Sequence, residues 1–306
     1  MTLFEQLARL TTEAVNPATL QIDAASTFDI VSMLNAQDAT VAAAVHEELA
    51  HVAQAVDIIV DRMKRGGRLV YVGAGTSGRL GIVDASEMPP TYGTDPEMIL
   101  GIIAGGDRAV FRSVEGAEDA PEAGEKALVD VDVCANDVVC GISASGRTPF
   151  VLGALQRASK VGAATILIST NHREMVTSYA QDASVLICPV VGPEPITGST
   201  RMKSGTAQKM VLNMLTTATM VKLGKTYSNV MVDLQLTNEK LKERAKRIVM
   251  SICNVEYDQA GHVLEVANGH VKTALVMATH NCSREEAVVR LEQANGIVRI
   301  ALEGNV

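Results

Sequence analysis

Three segments of the sequence combine glycine with hydroxyl side chains and could bind an anionic ligand. They read GAGTSG at 73–78, SASGRTP at 143–149 and TGSTRMKSGT at 197–206. Each precedes a helix-compatible segment, where free backbone amides and nearby hydroxyls suit phosphate or carboxylate. A single loop of this kind would be explained by ordinary turn chemistry. Three together favour a site for a phosphorylated small molecule, and the wide spread of hydroxyls suits a sugar.

The first of these loops also fits the GxGxxG pattern of dinucleotide-binding proteins. Two features argue against that interpretation. The acidic residues about 20 positions on, Asp95 and Glu97, precede the next apolar run, whereas the ribose-binding acid should end it. Thr76 and Ser77 are also unusually polar for a pyrophosphate turn. The pattern alone is therefore weak evidence for a nicotinamide cofactor.

The loops would be positioned by apolar runs that alternate with helix-compatible segments. The runs span 68–75, 98–106, 137–143, 163–170 and 183–190. The helical segments span 38–65 (ending at Gly66-Gly67), 78–87, 109–128, 149–161 and 172–182. Runs that are apolar throughout and alternate with helices are typical of a parallel sheet covered on both faces. We predict an α/β fold with a doubly wound, mostly parallel five-stranded sheet flanked by helices.

The character of the chain changes after the fifth run. A long Met-rich helical stretch at 203–223 is best explained as adaptable core, and a charged helical segment follows at 237–251. The remainder shows three short helical patterns, the last opening with a capping box at Ser283. We expect a domain over 1–250 with an N-terminal helical extension, and a small three-helix module over 251–306.

Composition excludes several classes of protein. The formal net charge is −8, only nine of the 306 residues are aromatic, and no apolar run approaches the length of a membrane span. We therefore expect neither a nucleic-acid nor a membrane partner. The five cysteines form no CxxC pair and the six histidines no zinc-site spacing, so we expect reduced thiols and no metal. The amino terminus lacks the pattern of a signal peptide, which predicts a cytoplasmic protein.

The sequence resembles the sugar isomerase (SIS) class of phosphosugar-binding domains and, more narrowly, the N-acetylmuramic acid 6-phosphate etherases. The motifs that carry the likeness are YVGAGTSGRLGIVDASEMPPTYGT (71–94), ISASGRTPFVLGAL (142–155) and TGSTRMKSGTAQKMVLNMLTT (197–217). The likeness covers essentially the whole chain, including an NPAT segment at 16–19. The C-terminal module is similar to ubiquitin-associated-type three-helix bundles.

The resemblance implies a homodimeric cytoplasmic carbon–oxygen lyase of cell-wall sugar recycling. Its substrate would be a phosphorylated amino sugar. It would cleave the lactyl ether of N-acetylmuramic acid 6-phosphate to N-acetylglucosamine 6-phosphate and D-lactate, with no metal or organic cofactor.

The resemblance also implies two catalytic glutamates, Glu87 in the DASE motif and Glu118 in the EGAED motif. We assign Glu87 as the general acid for the departing lactate and Glu118 as the base. We expect Glu87 to end the helix that leaves the first loop, immediately before Pro89-Pro90. By spacing alone, Glu118 belongs to a solvated acidic helix face, and spacing does not distinguish it from Glu115.

Binding residues are expected from all three loops. They are Gly75, Thr76, Ser77, Gly78, Arg79, Ser143, Ser145, Gly146, Arg147, Thr148, Ser199, Thr200 and Lys203. Among the cations Arg79, Arg147, Arg201 and Lys203, at least one would pair with phosphate or lactyl carboxylate. Arg201 and Lys203 are the preferred pair, although a surface cation at a helix start is an equally ordinary explanation for each.

Two other functions remain open. An aldose–ketose isomerase acting on a sugar phosphate would share removal of the C2 proton but would need no acid at C3. A non-catalytic sugar-phosphate sensor would bind the same ligand without exchanging its C2 hydrogen with solvent.

Overall fold

The computed structural model describes residues 10–234, 236 and 238–304. The expectation about a signal peptide falls mostly on residues 1–9, which lie outside the described residues. The described chain forms two compact units. The first contains residues 10–86 and Pro96–Thr216, and the second contains Glu87–Asp95 and the described residues from Thr217 onward.

The first unit is built on a five-stranded sheet. Its strands are β1 (Leu69–Gly73), β2 (Ile99–Ile103), β3 (Val138–Ile142), β4 (Ala164–Ile168) and β5 (Val185–Ile187). They are ordered β2-β1-β3-β4-β5, and every neighbouring pair is parallel. β1, β3 and β4 are buried along their whole length. Each strand lies inside one of the five predicted apolar runs, which confirms the predicted sheet.

Nine α-helices begin in the described part of the first unit. They are α1 (Thr27–Asp38), α2 (Val41–His46), α3 (Leu49–Lys64), α4 (Gly75–Tyr92), α5 (Asp107–Phe111), α6 (Pro121–Asp130), α7 (Pro149–Lys160), α8 (Arg173–Tyr179) and α9 (Lys203–Lys222). The final residues of α4 and α9 belong to the second unit.

Both faces of the sheet are covered, as the apolar strands predicted. On one face, Val70, Val139 and Leu167 share a core with Phe150 and Leu155 of α7. On the other, α4 lies so close that a Cβ on Gly81 would be 2.9 Å from Tyr71 Cβ. The first unit is therefore a doubly wound α/β domain. None of the described helices is both long and apolar enough to cross a membrane.

Several predicted helices have different bounds in the structure. The predicted helix over 38–65 is two helices, α2 and α3. The range 109–128 contains the end of α5, a 3₁₀ turn at Ala117–Asp119 and part of α6. The prediction that Glu87 ends its helix is wrong, because α4 continues through Pro89 and Pro90 to Tyr92. Each proline removes one backbone hydrogen bond. The side chains of Met88 and Tyr92, one turn apart in this last stretch, are buried.

The second unit contains a two-residue antiparallel pair and five further helices. They are β6 (Thr226–Tyr227), β7 (Val230–Met231), α10 (Glu239–Cys253), α11 (Tyr257–Val266), α12 (Val271–His280), α13 (Arg284–Gln293) and α14 (Val298–Glu303). The capping box at Ser283 is confirmed. The last predicted helical pattern is two helices, because Asn295 and Gly296 both adopt positive φ and end α13.

The helices of the second unit share one apolar cluster. Val232 and Ala245 lie in it together with Leu264, Leu275 and Leu291. Packing thus groups Val232 and α10 with the helices after residue 250. The domain boundary near residue 250 stays a prediction.

Candidate active site

A cavity of about 590 Å³ opens at the carboxyl edge of the sheet in the first unit. β2 lies on one side of β1, whereas β3, β4 and β5 follow in order on the other side. The direction of the chain across the sheet therefore reverses, and β1 and β3 flank a topological switch point. Gly73 pairs with Ile142, so the loops after these two strands begin side by side. We call this the main cavity. The predicted site residues that line it are Gly75, Thr76, Ser77, Glu118, Ser143, Ser145, Arg147, Thr148 and Thr200.

The glycines of the first loop have two different roles. Gly75 has φ +53°, a conformation that favours glycine, and lines the cavity. A Cβ on Gly78 would lie 2.6 Å from Ile103 Cγ1 and 2.8 Å from the Gly73 carbonyl oxygen. Gly78 therefore allows α4 to pack closely on the strands, and it is not among the lining residues.

Ser77 is held by a residue that the sequence did not single out. Its hydroxyl donates to Gln208 Oε1 across 2.9 Å, from the first turn of α4 to α9. Gln208 is 1% exposed, and its Nε2 donates to none of the described residues. Because the Ser77 proton is engaged, its oxygen is left to accept a hydrogen bond from a ligand, such as a sugar hydroxyl.

The second loop is ordered by its own hydroxyls. Ser143 Oγ accepts from the Gly146 amide (3.1 Å) and lies 2.8 Å from Thr148 Oγ1. Gly146 has φ +75°, and a Cβ there would lie 2.9 Å from Ser169 Oγ. Ser143 thus shapes the turn, which carries the hydroxyls of Ser145 and Thr148 into the main cavity. Gly146 permits the turn without lining the cavity.

The third segment contributes less than the sequence suggested. Thr200 lines the main cavity, whereas Ser199 and Lys203 do not. Lys203 is buried, and its Nζ donates to the Val191 carbonyl (2.8 Å) and Gln37 Oε1 (3.0 Å). Burial lowers the pKa of this amine. These bonds give Lys203 a structural role in the fold, and its predicted contact with substrate stays a prediction.

The start of α9 is capped by a buried acid that the sequence did not identify. Glu194 accepts from the backbone amides of Lys203 (2.8 Å) and Ser204 (2.9 Å). An acid at a helix N-terminus satisfies amides that have no partner inside the helix. Glu194 therefore fixes where α9 begins.

An N-terminal segment also reaches the main cavity, which the sequence did not predict. The Thr11 amide donates to Asn171 Oδ1 (2.8 Å), just after β4, and Thr19 Oγ1 donates to the Pro195 carbonyl (2.8 Å). These bonds bring Thr12 and Glu13 to the cavity wall. The Thr12 hydroxyl is buried and has no hydrogen-bond partner among the described residues. No local pattern could have shown this, because the bonds span about 160–176 positions.

The structure distinguishes Glu118 from Glu115, which spacing could not. Glu118 lies in a 3₁₀ turn, Ala117–Asp119, that follows Gly116 with φ +72°. It is therefore not on a regular acidic helix face. Glu118 lines the main cavity and also a smaller adjoining cavity, whereas Glu115 lines only the smaller one.

Three other predicted residues lie elsewhere. Arg79 lines the smaller cavity, and its Nε and Nη2 donate to the carbonyls of Val110 (2.8 Å) and Ala109 (2.7 Å). Arg201 is exposed and lines neither cavity. Glu87 is exposed in α4, in the part of that helix that belongs to the second unit, and is not among the lining residues of either cavity. Its assignment as the general acid stays a prediction.

A buried carboxyl braces α4 beneath the first loop. Asp84 accepts from Tyr71 of β1 (3.1 Å), and Lys209 Nζ of α9 lies 3.5 Å from it. Burial raises the pKa of Asp84, although Lys209 and Tyr71 stabilise its charged form. Polar contacts thus join β1, α4 and α9, the strand and the two helices around the first loop.

The main cavity therefore combines hydroxyl donors with carboxyl groups. Ser145, Thr148 and Arg147 suit a phosphate, and Glu118 adds a carboxyl group, the kind of side chain that serves in general acid–base chemistry. Within the described residues, no three His, Cys, Asp or Glu side chains are grouped as metal ligands would be. This arrangement fits acid–base chemistry on a phosphorylated polyol.

Known proteins are similar to this chain over nearly its full length. It is 57% identical to the N-acetylmuramic acid 6-phosphate etherase of Salinibacter ruber, over 99% of this chain and 97% of that protein. It is 52% identical to the etherase of the same name from Clostridioides difficile, over 98% of each chain. A family model described as the glucokinase regulatory protein N-terminal SIS domain matches residues 51–159.

Proposed function

This chain belongs to the N-acetylmuramic acid 6-phosphate etherase family, and from that premise we propose that it cleaves the D-lactyl ether of N-acetylmuramic acid 6-phosphate. The products are N-acetylglucosamine 6-phosphate and D-lactate, and the reaction belongs to the recycling of cell-wall sugars. The observation that carries the proposal is the placement of Glu118 in the same cavity as the hydroxyl-rich loops after β1 and β3.

The chemistry is an elimination followed by addition of water. Ring opening exposes an aldehyde at C1, which acidifies the C2 proton. A base removes that proton, the electron pair forms the C2–C3 double bond, and the C3–O bond breaks as an acid protonates the lactyl oxygen. Water then adds its hydroxyl to C3, and a proton returns to C2. Each positioned carboxyl contributes about 10²–10⁴-fold to such proton transfers.

The cavity supports a division of labour among its residues. The hydroxyls of Ser145 and Thr148 and the guanidinium of Arg147 bind the phosphate, while Ser77, through its free lone pairs, accepts from a sugar hydroxyl. Glu118 is the base at C2. Glu87 does not line the cavity, and its role as the acid at C3 is proposed from likeness to the family alone.

Release of D-lactate tests this function directly. Purified protein with N-acetylmuramic acid 6-phosphate should release one D-lactate for each N-acetylglucosamine 6-phosphate formed. In deuterated water, the product should carry deuterium at C2. Absence of lactate from authentic substrate would disprove the etherase.

A sensor is the second candidate, because the matching family model is described as a domain of a regulatory protein. A sensor would bind the phosphosugar without exchange at C2. An isomerase would exchange the C2 hydrogen and convert aldose to ketose without releasing lactate. The same two measurements therefore separate all three functions.

We also propose that the enzyme works in the cytoplasm as a homodimer. Two observations support this. All five cysteines are free thiols, as expected in a reducing compartment. Helix α1 has no buried side chain, and Phe28 is 76% exposed, so its apolar residues suit contact with a second copy of the chain.

A further inference from the structure

The smaller cavity of the first unit has not been given a role above. It measures about 200 Å³ and shares Ala74, Gly75 and Glu118 with the main cavity. We call it the side cavity. A group attached to a sugar bound in the main cavity could therefore enter it beside Glu118. Its size suits a short substituent rather than a second sugar ring.

The wall of the side cavity contains several small apolar side chains. They are Ala74, Ala104, Ala109, Ala117 and Val114. Ala104 and Ala109 are each 4% exposed, and Val114 is partly exposed. Such a wall accommodates a methyl group with favourable removal of apolar surface from water.

One cation lines the same space. Arg79 is held by the carbonyls of Ala109 and Val110, and its Nη1 donates to none of the described residues. A guanidinium fixed in this way presents a further donor for a carbonyl or carboxylate oxygen. The side cavity thus offers a methyl-sized apolar wall and a hydrogen-bond donor.

Charge decides which substituent fits better. Glu115 and Glu118 line the side cavity with Arg79, so two acids face one cation. A lactyl carboxylate would meet this excess of negative charge, whereas an acetamido group is neutral and carries a methyl, a carbonyl acceptor and an N–H donor. A neutral group with both hydrogen-bonding functions therefore suits the side cavity better than an anion.

We propose that the side cavity binds the acetamido group at C2 of the substrate and makes the enzyme selective for N-acetylated sugars. The inference rests on the proposed function. The acetyl methyl lies against the alanines and the carbonyl oxygen accepts from Arg79. Glu118 borders both cavities, so it adjoins C2, the carbon that bears the acetamido group and loses its proton.

A series of N-acyl substrates tests the assignment on the unmodified enzyme. D-lactate release is measured with the N-formyl, N-acetyl and N-butyryl forms of muramic acid 6-phosphate, which differ only in acyl length. The N-acetyl form should exceed the N-formyl form about fourfold in kcat/KM, the contribution expected from one buried methyl group. The N-butyryl form should fall about tenfold or more below the N-acetyl form, because its two further carbons must press against the alanine wall or lie beside the carboxylates.

Two variants change the size of the side cavity in opposite directions. Ala109→Val fills it and should reverse the preference, so that the N-formyl substrate exceeds the N-acetyl one. Val114→Ala enlarges the side cavity and should raise kcat/KM for the N-butyryl substrate at least threefold relative to that for the N-acetyl substrate. Ala127→Val and Val129→Ala on α6 make the same changes outside both cavities and should leave the preferences unchanged.

The outcomes separate this inference from the proposed function. If all three substrates release D-lactate with equal kcat/KM and neither variant alters the ratios, the etherase stands and the acetamido assignment is overturned. If none of them releases D-lactate, both fall. Should Ala109→Val fail to fold, the substrate series and Val114→Ala decide whether the acetamido assignment holds. Val114 lies near the surface, so we expect Val114→Ala to fold.

Discussion

At the scale of single residues, local conformation determines which acid borders the main cavity. Glu115 and Glu118 belong to one acidic run, yet the positive φ of Gly116 turns the chain so that only Glu118 borders the main cavity. The hydroxyls of the first two loops, which the sequence predicted to bind substrate, line the main cavity, and their role in binding stays a prediction. The sequence did not identify Gln208 or Thr12, whose neighbours at the site are distant in sequence.

Replacing Glu118 and Glu115 separately by glutamine tests the assignment of Glu118 as the base. Glu118→Gln should lower kcat for D-lactate release by about 10²–10⁴-fold, because an amide cannot remove the C2 proton. Glu115→Gln should lower kcat by a factor at least ten times smaller. Glu122→Gln, in the same acidic run but away from both cavities, is the control. An equal loss in the first two variants would contradict the choice of Glu118.

Gln208 should act on binding through Ser77. Gln208→Leu removes the acceptor that orients the Ser77 hydroxyl, and loss of such a bond corresponds to about a 2–10-fold rise in KM. The turnover number should change less than KM. The exposed Gln54→Leu on α3 is the control. A fall in thermal stability with KM unchanged would leave Gln208 with a purely structural role.

At the scale of elements, patterns of burial predicted strands better than helix ends. All five strands lie in the predicted runs because a strand buried on both faces must be apolar throughout. Helix ends depend on single residues whose effect packing can override. Pro89 and Pro90 did not end α4, whereas Asn295 and Gly296 divided a helix that the apolar spacing had joined.

Asp137 joins the starts of two strands at the edge opposite the site, and its removal should destabilise the sheet. Its carboxylate accepts from the Arg68 amide (2.8 Å), Arg68 Nη2 (2.9 Å) and the Cys134 amide (3.0 Å). Asp137→Asn should lower the free energy of unfolding at pH 7 by about 2–4 kcal/mol. Asp61→Asn, in an exposed pair with Arg65, should change it by less than about 0.5 kcal/mol.

The pH dependence of this difference gives a second check. Burial alone would raise the pKa of Asp137, but its hydrogen bonds with Arg68 and Cys134 outweigh burial and hold it below the ordinary 3.8. Its stabilisation is therefore complete above that value and is lost as pH falls through the lower pKa of the folded protein. Denaturant unfolding measured from pH 7 downward should show the free energies of unfolding of the wild type and Asp137→Asn converge. A constant difference over this range would contradict the role of the charge.

At the scale of the whole molecule, the net charge hides an asymmetry. Residues 84–137 contain 13 Asp and Glu against three Lys and Arg, although the whole chain sums to only −8. That stretch carries both glutamates assigned to catalysis, and the hydroxyl loops at 143–149 and 197–206 lie outside it. The glutamates predicted to catalyse and these two loops predicted to bind anions thus come from different parts of the chain.

The exposed apolar side of α1 should be covered by a second copy of the chain. Phe28→Asp should convert a dimer to a monomer in sedimentation equilibrium, because a charge would then have to be buried at the contact. Val129→Asp, a similar change on α6, should leave the dimer intact. A wild-type protein that sediments as a monomer would contradict the homodimer.

The sequence by itself determined the α/β class, the five parallel strands and the hydroxyl-rich loops that follow them. These features depend on the periodicity of burial and on local turn chemistry, which neighbouring residues carry. Only the tertiary structure decided that β1 and β3 lie side by side, that Glu118 borders the cavity, and that Thr12 and Gln208 reach the site. Such contacts are selected by packing between segments that are separated along the chain, by 131 positions for Ser77 and Gln208, so no local pattern records them.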